Sequence, residues 1–136
     1  MAAKKTAAPA FIWGTGRRKN GSARVRISEG AGAFLINNRE VENYFPRPIW
    51  ASKAKEALAV AGLEGKIDVF VNVHGGGLTG QSGAVSLGLA RAIIKFNPEL
   101  RPVLKKAGLL RRDPRMVERK KVGQPKARAN KQFSKR

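Results

Sequence analysis

The sequence contains no cysteine, one histidine (His74) and only 9 acidic residues among 136. Without cysteine there are no disulfides, no cysteine-ligated zinc and no thiol catalysis, and the chain suits a reducing compartment. One histidine argues against a metal site. No nucleophile and acid stand at a spacing that would complete a catalytic triad with it, so His74 reads as a loop or packing residue. The acids are scattered, with no close carboxylate pair of the hydrolytic kind. The apolar runs are far too short to span a bilayer, so no membrane partner is expected. Met1–Ala10 carries two lysines but no apolar stretch of signal-peptide length, and reads as a short disordered leader.

What the chain does have is positive charge. There are 28 Lys and Arg residues, for a net charge of +19. Self-repulsion on this scale opposes compaction, and a polyanionic partner relieves it. The distribution is more telling than the total. Residues 1–27 hold 7 basic and no acidic residues, residues 28–100 hold 7 of each, and residues 101–136 hold 14 basic and 2 acidic. A neutral body thus stands between two cationic ends, the pattern of arms that grip a phosphate backbone. Apolar residues make up 42% of the chain, enough for one domain with a real core.

The order of elements reads as three strands, helix, strand, helix and tail, an α+β class. Phe11-Ile12-Trp13 opens an extended segment, and Ala23, Val25 and Ile27 alternate with Arg24, Arg26 and Ser28. That period of two predicts a strand with one buried and one basic face. Asn20-Gly21 predicts the turn of a hairpin, because both residues tolerate positive φ. Phe34-Leu35-Ile36 is a short strand turned by Asn37-Asn38. Pro46 and Pro48 interrupt any helix over 41–50. A helix is predicted over Ser52–Ala61, capped by Gly62, and a central strand over Ile67–Val73. Leu78–Phe96 is the strongest helix, with Val85, Leu89, Ile93 and Phe96 on one stripe and Gly88 and Ala92 beside it for close packing on a sheet. A short helix over Pro98–Ala107 stops at Gly108. The domain is therefore placed at 11–108 and an extended basic tail at 109–136.

The sharpest apparent motif is His74-Gly75-Gly76-Gly77-Leu78-Thr79-Gly80-Gln81-Ser82. Gly75, Gly77 and Gly80 match the dinucleotide fingerprint, and Gly75–Ser82 matches a phosphate loop except that Gln81 replaces its lysine. Without that lysine the loop lacks the cation that reaches the β- and γ-phosphates. A dinucleotide fold also needs a further strand ending in an acid on the ribose. Glu99 has about the right distance, but it follows Pro98 and starts a helix. No enzyme, catalytic residue, metal or cofactor is therefore expected. Two reasons for the glycines stay open together. A tight strand-to-helix turn requires positive φ and close approach. Amides at a helix N-terminus also make an anion site that an RNA phosphate fits.

Arg17, Arg18, Lys19, Arg24 and Arg26 crowd one hairpin with no acid nearby. Arg111, Arg112, Arg115, Arg119, Lys120, Lys121, Lys126, Arg128, Lys131, Lys135 and Arg136 are spread along the tail without a helical stripe. Such spacing suits an extended chain threading past phosphates, with a reach of roughly 80–90 Å at most from Arg112 to Arg136. The tail is expected to order on binding, with affinity that falls by a log–log slope of about 0.7–0.9 per phosphate neutralised. Phe133 is its one aromatic and either stacks on a base or docks on a protein.

Gly14-Thr15-Gly16-Arg17-Arg18-Lys19 with Ala23-Arg24-Val25-Arg26, His74-Gly75-Gly76-Gly77 with Gly80-Gln81, and the ending Lys126-Ala127-Arg128 and Gln132-Phe133-Ser134-Lys135-Arg136 together resemble the bacterial small-subunit ribosomal protein S-nine family. The resemblance covers about residues 11–136. Val122 departs from it, standing where the family usually has an aromatic. The resemblance implies a two-layer α/β domain with a left-handed crossover and a cytoplasmic, ribosomal location in the head of the small subunit. The implied partners are the 3′ major domain of its ribosomal RNA, neighbouring head proteins and the peptidyl-site tRNA. Arg17, Arg18, Lys19, Arg24, Arg26, Gly75, Gly76, Gly77, Gly80, Gln81 and the tail cations from Arg111 to Arg128 are the residues expected on ribosomal RNA. Ser134, Lys135 and Arg136 are those implied near the tRNA. The alternative is a DNA-compacting protein, which would offer a regular helix or ribbon to a groove rather than irregular, Arg-rich ends.

Overall fold

The computed structural model describes residues 11–130, 132 and 133. Its sheet is built from β1 (Ile12–Arg18), β2 (Gly21–Glu29), β3 (Phe34–Ile36), β4 (Arg39–Glu40) and β5 (Ile67–His74), in the spatial order β1-β2-β5-β3-β4. β1, β2 and β5 pair antiparallel, whereas β3 runs parallel to β5. A parallel pair needs a crossover, and α1 (Val41–Tyr44) and α2 (Pro48–Ala61) lie within it. α3 (Leu78–Phe96) rests on β1 and β2 with α2 beside it, and α4 (Arg101–Lys106) packs on α2.

Alternation in the strands decides which face receives the helices. Gly14, Gly16, Ala23, Val25, Ile27, Val69, Val71 and Val73 point inward and are buried, together with Val85, Leu89 and Ile93 of α3. Each large aliphatic side chain buried in this way contributes about 1.5–3 kcal/mol. The glycines let α3 approach unusually closely. A Cβ at Gly16 would lie 2.0 Å from the Ala84 carbonyl oxygen, and one at Gly14 would lie 2.3 Å from that of Gly88. The small residues Gly88 and Ala92 answer them from the helix, as their placement beside the apolar stripe predicts. Arg91 Nη1 donates to the Thr15 carbonyl at 2.8 Å and Lys95 Nζ to the Trp13 carbonyl at 3.0 Å. These bonds cover the edge of β1, which would otherwise invite pairing with another chain.

Four local details differ from the sequence reading. α2 begins at Pro48 rather than Ser52, because proline is well suited to the first helical position, where no intrahelical N–H is needed. The chain also makes the short elements β4 and α1, which carry too few residues to show a period. The β1–β2 turn falls on Lys19-Asn20, with Lys19 at φ 52°, one residue earlier than the Asn-Gly pair suggests. Gly21 is a strand residue, and its missing side chain serves packing instead: a Cβ there would meet the Gly80 carbonyl carbon at 3.2 Å. Finally, Leu109, the first residue of the expected tail, is buried in the core, and Leu110 packs against it. From 111 to 130, and at 132 and 133, the chain has no helix or strand.

Candidate nucleic-acid interface

The fold brings the basic hairpin and the glycine loop together at one end of the sheet. Gly75 and Gly76 have φ of 76° and 63°, and a Cβ on them would lie 2.5 Å from the Asn20 carbonyl oxygen and 2.8 Å from the Gly21 nitrogen. A Cβ at Gly80 would lie 3.2 Å from the Arg18 carbonyl oxygen. The hairpin turn is therefore seated on the loop. Gly77 is the extended residue before α3, and no side chain caps the helix there. Gln81 replaces the phosphate-loop lysine and works from inside. Its buried amide donates from Nε2 to the Gly75 carbonyl at 3.1 Å and accepts at Oε1 from the Tyr44 hydroxyl at 2.7 Å. The positive φ values and the close approach account for the structural half of the glycine reading.

Around the corner from the loop lies a cationic cleft. Arg17 and Arg18 of β1, Lys53 of α2, and Arg111 and Arg115 after α4 line it, over Gly83, Ser86 and Leu87 of α3. One carboxylate, Asp113, faces these five cations. Arg115 Nη2 donates to Asp113 Oδ2 at 2.7 Å, and Arg115 Nε to both carboxylate oxygens at 3.0 Å. Arg115, and more weakly Arg18, hold the Asp113 carboxyl far below the usual carboxylate range. Arg18 Nε stands 3.6 Å from Asp113 Oδ2, beyond hydrogen-bond range. That nitrogen is buried and makes no hydrogen bond among the described residues. A charged donor left in this state costs about 1–3 kcal/mol, and an anionic oxygen would recover it. Lys53, which also pairs with Glu56 at 2.8 Å, is invisible to sequence reasoning, since it lies 34 positions from Lys19 on another element; only the tertiary packing of α2 brings it here.

Arg24 and Arg26 lie on the sheet face away from the helices, as the strand period predicts. Arg24 is exposed. The Arg26 guanidinium carbon lies 4.8 Å from the Phe11 ring centroid, 5.2 Å from that of Phe70 and 6.0 Å from that of Trp13. His74 ends β5 exposed, on a strand rather than packed in a loop.

In the tail, Arg111, Arg112, Arg115, Arg119, Lys120, Lys126 and Arg128 are exposed, and so is Phe133. The two tail acids organise part of it. Glu118 pairs with Lys121 and, at 2.7 Å, with Arg128, and Lys121 Nζ also donates to the Ala127 carbonyl at 3.1 Å. These pairs fold residues 118–128 into a turn that the sequence does not advertise. Ser134, Lys135 and Arg136, and the leader 1–10, lie outside the described residues.

Comparison with known proteins agrees with the earlier resemblance. The profile of the family described as Ribosomal protein S9/S16 matches residues 16–136. The chain is also 56% identical over 126 residues to the small ribosomal subunit protein uS9 of Solidesulfovibrio magneticus, covering 93% of this chain and 97% of that protein. Such identity over nearly the full length of both chains leaves no room for a coincidental motif, and the chain belongs to the ribosomal protein S9/S16 family.

Proposed function

We propose that this protein is a structural constituent of the small ribosomal subunit that clamps ribosomal RNA between its basic hairpin, the cleft beside it and its tail. The observation that carries the reading is the family membership, with 56% identity to a small-subunit protein along almost the whole chain. The family is structural and non-enzymatic, and it works in the ribosome. The geometry adds reasons for RNA. Five cations line a cleft whose one lining acid is Asp113, Lys53 being paired outside it with Glu56, and a buried Arg18 donor there has no acceptor among the described residues. Irregularly placed arginines suit the mixed geometry of folded RNA, since their forked donors take phosphate bidentately.

Finer points follow from the same family reading. The RNA is that of the 3′ major domain, neighbouring proteins of the subunit head adjoin the domain, and the β3-to-β5 crossover is left-handed. Arg17, Arg18, Lys19, Arg24, Arg26 and the tail cations take phosphates. Gly77, with open space where its side chain would be, lets the RNA backbone approach, while Gly75, Gly76 and Gly80 seat the basic hairpin and Gln81 braces their loop. The last residues, Ser134, Lys135 and Arg136, reach the peptidyl-site tRNA. The test is binding of the full chain to 3′ major-domain RNA and to duplex DNA across a salt series. Preference for the RNA at every salt concentration is expected, and equal affinity for both would overturn the reading. Deleting Ser134–Arg136 should spare assembly into subunits and weaken tRNA binding at the peptidyl site. Unchanged tRNA affinity would remove the tail end from that role.

A further inference from the structure

The sheet face turned away from the helices has a pattern that phosphate binding alone does not explain. The register aligns Trp13 with Arg26, Arg26 with Phe70, Phe70 with Leu35 and Leu35 with Glu40, so one row of side chains crosses all five strands. The next row is Thr15, Arg24 and Asn72. An outer sheet face in contact with water is normally polar. Here three rings, Phe11, Trp13 and Phe70, gather around one guanidinium, and Trp13 is 47% exposed. Arg26 has no carboxylate within ion-pair range among the described residues. Of the two acids on this face, Asp68 is engaged elsewhere, accepting from the Gly32 and Ala33 amides at 3.0 and 2.9 Å, and Glu40 stands at the far edge on β4, three strands from Arg26.

We infer that this face is a stacking platform for unpaired RNA bases, with Trp13 and Arg26 as its floor and Arg24 taking the adjoining phosphate. The inference rests on the reading that the partner is RNA, and it adds which part of the RNA is recognised. Three considerations select an unpaired nucleotide. Indole and guanidinium planes both stack on bases, and the rings around Arg26 restrict its plane. A paired base offers no free face, so a duplex supplies phosphates but no stacking partner. Around Trp13 the face carries Arg24 and Arg26, with Asp68 already satisfied and Glu40 at the opposite edge of the sheet, so the charge there is complementary to RNA rather than to a basic protein surface.

Trp13 and Trp50 are the only tryptophans, so Trp50→Phe makes Trp13 the sole indole fluorophore. The full chain carrying Trp50→Phe is titrated with a single-stranded RNA oligonucleotide, an RNA duplex of equal length and the 3′ major-domain fragment. Trp13 emission should be quenched by the single strand and the fragment and not by the duplex. Trp13→Leu should weaken single-strand binding about 5- to 150-fold, the range for loss of one base–aromatic stack. Its salt slope should stay unchanged because no phosphate contact is lost, and Trp13→Phe should restore most of the affinity. If Trp50→Phe does not fold, the difference spectrum between wild type and Trp13→Leu reads the same signal. Complexes that form with Trp13 unquenched, equal quenching by duplex, or native affinity in Trp13→Leu would each overturn the platform while leaving RNA binding intact. Quenching that grows with protein concentration in the absence of RNA would assign the face to a second copy of the chain. Failure of the wild-type chain to bind the fragment would instead sink the RNA reading itself.

Discussion

Gly83→Ala separates the fold from the proposed interface more cleanly than removing an arginine does. Gly83 lies inside α3, where alanine is favoured over glycine by about 0.8–1.0 kcal/mol. A Cβ there would fall 2.2 Å from Cδ and 2.9 Å from Nη1 of Arg18. Both are atoms of a flexible side chain, so Arg18 swings out of the cleft and the helix stays where it is. The move gives up the 3.6 Å ion pair with Asp113, a pair open enough to water to be worth about 0.2–1 kcal/mol. Solvation of the unbonded Arg18 Nε adds to the helix gain, and together they outweigh the lost pair, so the variant should be no less stable than the parent. RNA binding should change much more. Losing one phosphate contact lowers the log–log salt slope by about 0.7–0.9 and weakens binding about fivefold near 0.15 M salt. The assays are urea unfolding followed by circular dichroism, and anisotropy titrations with 3′ major-domain RNA between roughly 50 and 200 mM salt. Unchanged slope and affinity in a folded Gly83→Ala protein would show that Arg18 does not meet a phosphate. A loss of about 3 kcal/mol in the unfolding experiment would show that the clash reaches the backbone after all.

Gly16→Ala is the contrasting case: its Cβ would meet backbone, 2.0 Å from the Ala84 carbonyl oxygen, so urea unfolding should show a loss of about 3 kcal/mol or failure to fold, and a change under about 0.5 kcal/mol would contradict the close packing of β1 on α3. Asp68→Ala removes the acceptor for the Gly32 and Ala33 amides and should cost about 1–3 kcal/mol, with faster amide hydrogen exchange at those two residues as the local signature. The Glu118 carboxyl is held below its ordinary value of 4.5, first by Lys121 and then by Arg128. A depressed carboxyl stabilises the turn above its unfolded value and stops doing so as pH falls through its folded one. Carboxyl chemical shifts of Glu118 should therefore titrate with a midpoint below 4.5, and a midpoint above it would mean that the turn does not form.

What the sequence discloses depends on whether the signal is local. The alternation of Ala23, Val25 and Ile27 with Arg24 and Arg26 states both the strand and the side on which its arginines lie, because a period of two is a property of neighbouring residues. The bounds of α3 are equally local, set by a glycine cap at one end and Asn97-Pro98 at the other. The start of α2 is less so, since Pro48 interrupts a helix in one position and begins one in another, and only the chain before it decides which. The cleft is not legible at all. Lys53 joins Arg18 through the packing of α2 on α3, and Asp113 reaches them through the path of the chain after Leu110. Arg26 shows the same gap. Its basic character is plain in the sequence, but its seat among Phe11, Trp13 and Phe70 depends on a register across three strands.

The glycine motif deserves a different explanation from the nucleotide loops it imitates. A phosphate loop keeps its glycines so that backbone amides can close around an anion, and keeps a lysine to reach the terminal phosphates. In this chain the space that Gly75, Gly76 and Gly80 leave open is filled by the hairpin: Asn20, Gly21 and the Arg18 carbonyl all lie within 3.2 Å of where side chains would be. Gln81, in the place of the lysine, spends its amide on Gly75 and Tyr44, tying the loop back to its own body. The loop is thus a socket for the hairpin end that carries Arg17 and Arg18 on β1 and Lys19 in the turn. Under the proposed function its glycines would serve phosphate binding indirectly, by fixing the height and tilt of a basic hairpin end whose residues have no acids of their own nearby in sequence. In the proposed clamp, a turn held in this way would lose less freedom on binding than the tail, so the hairpin would be the fixed jaw and the tail the jaw that closes.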